Sequence, residues 1–177
     1  MKRLAFLFLL LLGLCACAES GPIFPDYTDR AVDCRFSLTV DGTPYQLRVE
    51  RAPLTAPGAE DYAEFTDATV TVLAPAALAG IQVRLSGGET YLVAGEMRIP
   101  AEREALGGFM RLVACFSCRN GQVDRVNTVS RTPIRTAVTY GGDYGPVTWL
   151  YGEGCVPVSV EFTYGGHVYV LTELTFS

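Results

Sequence analysis

The chain has 177 residues, 49% of them hydrophobic and 19% charged, and a net charge of −5 at pH 7. That length and composition fit one globular domain and exclude a chain disordered throughout. With 14 basic residues against 19 acidic ones, the balance argues against a nucleic-acid partner, which needs clustered Lys and Arg.

Met1-Lys2-Arg3 precedes an unbroken apolar run from Leu4 to Leu12, followed by small residues from Gly13 to Ala16. Basic, apolar and small is the order of a secretory signal. The run is shorter than the ~20 residues of a comfortable membrane span, although a short transmembrane anchor is the alternative. Leu14-Cys15-Ala16-Cys17 resembles the bacterial lipobox. Ala16 is small enough to precede the cut, whereas bulky Leu14 ahead of Cys15 is not, so Cys17 is the expected acylated residue. The resemblance implies a signal peptide over 1–16 and a diacylglycerol on the sulfur of Cys17. It further implies an extracytoplasmic protein anchored to the bacterial cell membrane through two acyl chains. Removing 16 of 177 residues leaves 161, and losing Lys2 and Arg3 takes the charge from −5 to −7. The lipid, not attraction to anionic headgroups, must then do the anchoring. Residues 17–32 read as a lipidated tether, because Glu19 to Asp33 is rich in Pro, Gly and polar residues. Residues 33–177 form the domain.

"CRFSLTV" alternates Cys34, Phe36, Leu38 and Val40 against Arg35, Ser37 and Thr39, and Asp41-Gly42 predicts a tight hairpin into "PYQLRVE". Further strands are predicted at 68–73, 81–85, 89–94, 135–140, 147–151, 156–164 and 167–176. "APAALAG" at 74–80 reads as a helical turn ending at Gly80. In "PAEREALGGFMRLVACFSC", Pro100 opens a helix whose positive end is complemented by Glu102 and Glu104. Leu106, Phe109, Met110, Val113 and Phe116 then form an apolar stripe at helical spacing. Gly107-Gly108 weakens that helix by roughly 1 kcal/mol per glycine, or permits a bend or a close backbone approach. In the closing hairpin Val158, Val160, Phe162 and Tyr164 alternate, Gly165-Gly166 turns, and Val168, Val170, Leu174 and Phe176 are expected on one returning face.

The fold class is therefore mainly β (α+β): a curved antiparallel sheet forming an incomplete barrel covered by one amphipathic helix. Between sheet and helix lies either a solid core or an apolar cavity, lined by Leu106, Phe109, Met110, Val113 and Trp149. The order of segments resembles small lipoproteins of the lipoprotein-carrier (LolA/LolB-like) superfamily. A lipobox and tether precede a hairpin, "VTVLAPAALAGIQVRLSGGETYLVAGEM", the amphipathic helix and "PVTWLYGEGCVPVSVEFTYGGHVYVLTELTF". The resemblance covers roughly residues 30–177 and implies a half-barrel, a helical lid and a cavity for acyl chains. It transfers no individual ligand-binding residue.

Cys34, Cys115, Cys118 and Cys155 remain after Cys17. Outside the cytoplasm they read first as disulfide partners, for example with Cys34 and Cys155 each taking one helix cysteine, although connectivity stays open. Cys115-Phe-Ser-Cys118 also spells a C-x-x-C, so thiol–disulfide exchange is an alternative. Its place near the negative end of the helix disfavours a thiolate, however. A four-cysteine zinc site lacks the usual second close pair. His167 reads as an exposed turn residue. "EDYAEFTD" reads as a solvated acidic segment, and Gly87-Gly88 and Gly141-Gly142 as turns. Tyr140, Tyr144, Trp149 and Tyr151 read as core aromatics before a carbohydrate or peptide site. No catalytic residue, metal or cofactor is expected. The expected function is non-enzymatic binding of a hydrophobic small ligand or an envelope protein, with a structural module of a surface complex as the alternative.

Overall fold

A computed structural model describes Phe24, Pro25, Tyr27 and residues 30–53, 67–102, 106–118, 123–141 and 145–177. Cys15, Cys17, residues 60–66 of the acidic segment, Glu104, Gly142 and Tyr144 lie outside the described residues.

Alternation builds the first hairpin. β1 (Val32–Val40) and β2 (Thr43–Arg51) pair antiparallel from Val32↔Arg51 to Val40↔Thr43. Asp41 and Gly42 both take positive φ, 48° and 78°, which matches a two-residue turn to the twist of the strands. The chain meanders on through β3 (Ala68–Ala74), β4 (Gln82–Ser86), β5 (Glu89–Ala94) and β6 (Met97–Pro100). Helix α1 (Gly107–Cys115) follows, then β7 (Val123–Arg131), β8 (Ile134–Tyr140), β9 (Val147–Tyr151), β10 (Pro157–Tyr164) and β11 (His167–Phe176). Because β11 pairs with β1, all of them join one 11-stranded antiparallel sheet, ordered β6-β5-β4-β3-β2-β1-β11-β10-β9-β8-β7. The sheet does not close, and β6 and β7 are its two edges.

The two edge strands are the elements that the pattern of residues missed. β6 is four exposed residues, and β7 is largely exposed with two register shifts, so neither carries the alternation that a buried face imposes. Pro100 ends β6 instead of opening the helix. At an edge its missing N–H forfeits no ladder bond. The 74–80 segment forms successive turns after Ala74 completes β3, with Gly80 at φ 87°. The tether reading ends early as well, since Phe24 and Tyr27 are buried in the core.

β11 corrects another expectation. Val168 and Val170 point outward and are exposed, whereas Tyr169 and Leu171 point inward, Leu171 being fully buried. Between Ser37↔Thr172 and Arg35↔Thr175 the strand carries one extra residue, and Glu173 sits there at φ 56°. This bulge flips the parity, so that Leu174 packs on the core and Phe176 stacks on Tyr27. Ser37 Oγ donates a hydrogen bond to the Glu173 carboxylate across the bulge. Deleting Glu173 is expected to throw either Leu171 or Phe176 to the wrong face and lower the thermal midpoint sharply. Glu173→Gly should stay within ~1 kcal/mol of the parent in urea titrations, because glycine accepts this backbone conformation.

Candidate functional site

The inner face of the sheet is largely apolar, with Arg51 and Thr90 as buried polar residues in the row from Val32 to Thr90, and α1 covers only part of it. On one side, Leu38, Leu171, Val160, Trp149 and Val138 stand in register and are buried. On the other, Cys34, Val49, Val70, Val83, Leu92 and Ile99 form a matching row. Exposure rises along that row from 0% at Val49 through 6% at Val70 to 50% at Ile99, with Val83 and Leu92 half-buried. Along this row exposure grows towards the β6 edge and leaves a narrow apolar strip of Val83, Leu92 and Ile99, while in the neighbouring inner row Leu85 and Thr90 stay buried at 2% and 5%.

Two devices fix the helix over the covered half. At its start, Gly107 lies against the Tyr164 ring, and a Cβ there would come 2.6 Å from Tyr164 Oη. The glycine pair thus serves close approach, as one of the two sequence readings proposed. One turn on, buried Arg111 donates from Nε to Thr163 O at 3.2 Å, from Nη1 to Gly145 O at 2.8 Å and from Nη2 to Pro146 O at 3.1 Å. One guanidinium so ties α1 to β10 and to the β8–β9 connection. Burial lowers its pKa, yet an arginine stays charged in this setting. At the far end of α1, Trp149 Nε1 donates to Cys115 O at 3.1 Å, filling a carbonyl that the helix itself leaves open.

The interior beneath α1 is a stack of rings. Tyr27 lies 5.2 Å from Trp149 and 5.3 Å from Phe176, and Phe116 meets Trp149 edge-on at 5.8 Å. Phe109, Met110, Val113 and Trp149, proposed from sequence as cavity lining, are buried members of this core, and Leu106 packs half-buried at its margin. Tyr140 and Tyr151 are buried with their hydroxyls 3.3 Å apart, which places these aromatics in the core.

A separate groove of about 560 Å³ crosses the ends of β1–β4. It is lined both by the outward row Asp33, Glu50, Thr69 and Arg84 and by the inner row Val32, Arg51, Ala68 and Leu85, and it does not include Val83, Leu92 or Ile99 of the apolar strip. Arg48 already bridges Asp33 at 2.6 Å and Glu50 at 3.1 Å beside it.

The expected staples are not formed. No disulfide joins Cys34, Cys115, Cys118 or Cys155. Cys115 Sγ instead donates to Arg111 O at 3.3 Å, and Cys118 Sγ to Cys115 O at 3.4 Å, so the C-x-x-C thiols cap carbonyls in and just beyond the last turn of the helix. Cys155 lies in a 3₁₀ turn (Glu153–Cys155) between β9 and β10. Among the described residues, no group of three or more His, Cys, Asp or Glu is placed to hold a metal ion. Burial pushes the Cys115 thiol well above its ordinary range, which opposes thiolate chemistry at the C-x-x-C, and it pushes the Cys34 thiol up to about 12.

No family model matches the sequence, and no curated protein matches it. Solved structures similar to it include an uncharacterized conserved protein from Thermus thermophilus, with TM-score 0.46 and 12% identity, over 85% of this chain and 81% of that one. A LolA superfamily protein from Nitrosomonas europaea aligns with TM-score 0.40 and 12% identity, over 86% and 88%. LprF from Mycobacterium bovis aligns with TM-score 0.36 and 12% identity, over 84% and 85%. Likeness at this level decides neither ligand nor function, which rest on the chain's own geometry.

Three measurements check the site. Arg111→Met leaves three carbonyls without their donor and is expected to lower stability by about 3 kcal/mol or more in urea titrations. Arg111→Lys should recover only part, since an ammonium cannot fork to three acceptors. Titration with a thiol reagent should find Cys34 and Cys115 unreactive until the chain is denatured. Because the Cys34 pKa is raised on folding, its stabilisation is complete below pH 9 and is lost as pH rises from about 9 to about 12. Cys34→Ala should flatten that part of the stability profile.

Proposed function

We propose that this chain is a lipid-anchored, extracytoplasmic envelope protein that binds an apolar ligand, an acyl chain, along the uncovered strip of its inner face. The observation that carries this reading is that strip. Val83, Leu92 and Ile99 continue the buried row of Val49 and Val70 with rising exposure, as a narrow apolar strip beside buried Leu85 and Thr90. An extended alkyl chain laid across β3–β6 would complete the apolar layer that α1 begins. The lipobox-like Leu14-Cys15-Ala16-Cys17 supports acylation of Cys17 and attachment to a bacterial membrane, where such ligands are at hand. The role is binding, with no catalytic step.

The tightly packed interior beneath α1 favours a second reading, in which the same strip receives a protein partner within a surface complex. Fatty-acid uptake separates the two. The soluble domain, produced without residues 1–17, should carry lipid into native mass spectrometry and take up a fluorescent fatty acid. Leu92→Asp is expected to weaken that uptake about tenfold or more, because burying a leucine is worth ~1.5–3 kcal/mol. Val93→Asp, on the outward face, should change it little. A domain without lipid that takes up no fatty acid would overturn the acyl-chain reading and leave the protein-partner one.

A further inference from the structure

Resting on the proposed acylation of Cys17, we infer that the β7–β8 hairpin and the β9–β10 turn dock on the headgroup region of the membrane that holds the lipid. The argument begins with reach. Phe24 packs its ring 5.0 Å from Tyr151, the last residue of β9. Tyr27 is held between Trp149 and Phe176, and Arg51 donates to the carbonyls of Tyr27 and Arg30. The N-terminal segment is thus fastened to the end of the sheet where β1 begins and where β9 and β11 stop. Seven residue-to-residue steps lead from Cys17 to Phe24 and can span at most ~25 Å when fully extended. The nine residues of β1 alone run ~30 Å. Upright on its anchor, the domain can therefore bring only the fastened end to the bilayer.

The chemistry exposed at that end suits the surface it would meet. Val129 and Ile134 on the hairpin and Val156 on the turn are each more than half exposed. Arg131 and Arg135 flank the hairpin tip, and a Cβ on Gly152 would lie 3.5 Å from Arg135 Nη1, so hairpin and turn adjoin. The apolar side chains and the two arginines outweigh the one acid on the turn, Glu153, and match a headgroup layer, in which alkyl groups enter the acyl boundary and guanidinium groups bond phosphate. The attraction is local, set against a chain that is acidic overall.

The test uses the full-length protein purified from bacterial membranes and reconstituted in phosphatidylethanolamine–phosphatidylglycerol vesicles. Mass spectrometry of the mature N-terminus first reads the acyl adduct on Cys17. The photo-crosslinker benzoylphenylalanine then replaces Ile134 or Val156 at the fastened end, or Thr43 or His167 at the opposite end. Phospholipid adducts are expected several-fold more often from 134 and 156 than from 43 and 167. Arg131→Glu combined with Arg135→Glu should cut the yield at 134 several-fold while the protein still pellets with the vesicles. An acylated protein that crosslinks equally from both ends, or only from 43 and 167, overturns the docking and spares the anchoring. A Cys17 without acyl groups overturns the anchoring, and the docking with it.

Discussion

The fold is governed by a problem of connection. Strand pairing ends at Pro100 on one edge of an open sheet and resumes at Val123 on the other. The chain between them has to pass from edge to edge, and the inner apolar face offers it a surface to bury against. A helix suits the passage because it satisfies its own backbone while presenting one apolar stripe. Phe109, Met110 and Val113 supply that stripe and close the interior over β8–β11 and β1. Because a nine-residue helix is only ~14 Å long, it cannot shield a sheet of 11 strands. The open strip on β3–β6 is the geometric remainder of that mismatch.

Held this way, the molecule divides into two energetic regimes. Beneath α1, rings pack at 5–6 Å and burial is complete, so this half supplies most of the hydrophobic stabilisation. Towards β6 exposure rises along the Val83, Leu92 and Ile99 row, although Leu85 and Thr90 beside it stay buried. An apolar occupant there would gain what the helix cannot give. The groove at the strand ends mixes inner Val32, Ala68 and Leu85 with charged Asp33, Glu50 and Arg84, and Arg48 already pairs with two of those acids.

Much of this was legible in the residues, and the lapses have physical causes. Cys34, Phe36 and Leu38, or Val160 and Phe162, alternate because one face of a paired strand is dry. The helix stripe was legible for the same reason. Edge strands β6 and β7 escape that logic, since water reaches both of their faces. β11 deceived because parity is a count, and the single extra residue at Glu173 inverts it. The cysteines deceived for a different reason. Sequence reports how many thiols there are, but whether a sulfur meets another sulfur or a carbonyl depends on side-chain direction. Arg111 was overlooked altogether. A lone arginine amid an apolar stripe was the available signal, and a helix with one charged residue on its buried side has to aim that charge at backbone oxygens.

That last point extends to the buried polar groups as a set. Strands satisfy their backbones through the ladder, but the pieces that cross or cap the sheet cannot. They are pinned by side chains donating to carbonyls. Arg111 pins the helix to the β8–β9 connection, Trp149 pins its end, and Arg51 pins the incoming N-terminal segment at Tyr27 and Arg30. Each pin is a single side chain, whereas each strand pair is held by many bonds at once. Local opening is set by burial, so the exposed edge strand β6, paired only with β5, parts before α1, which its pins hold over fully buried Trp149 and Phe116.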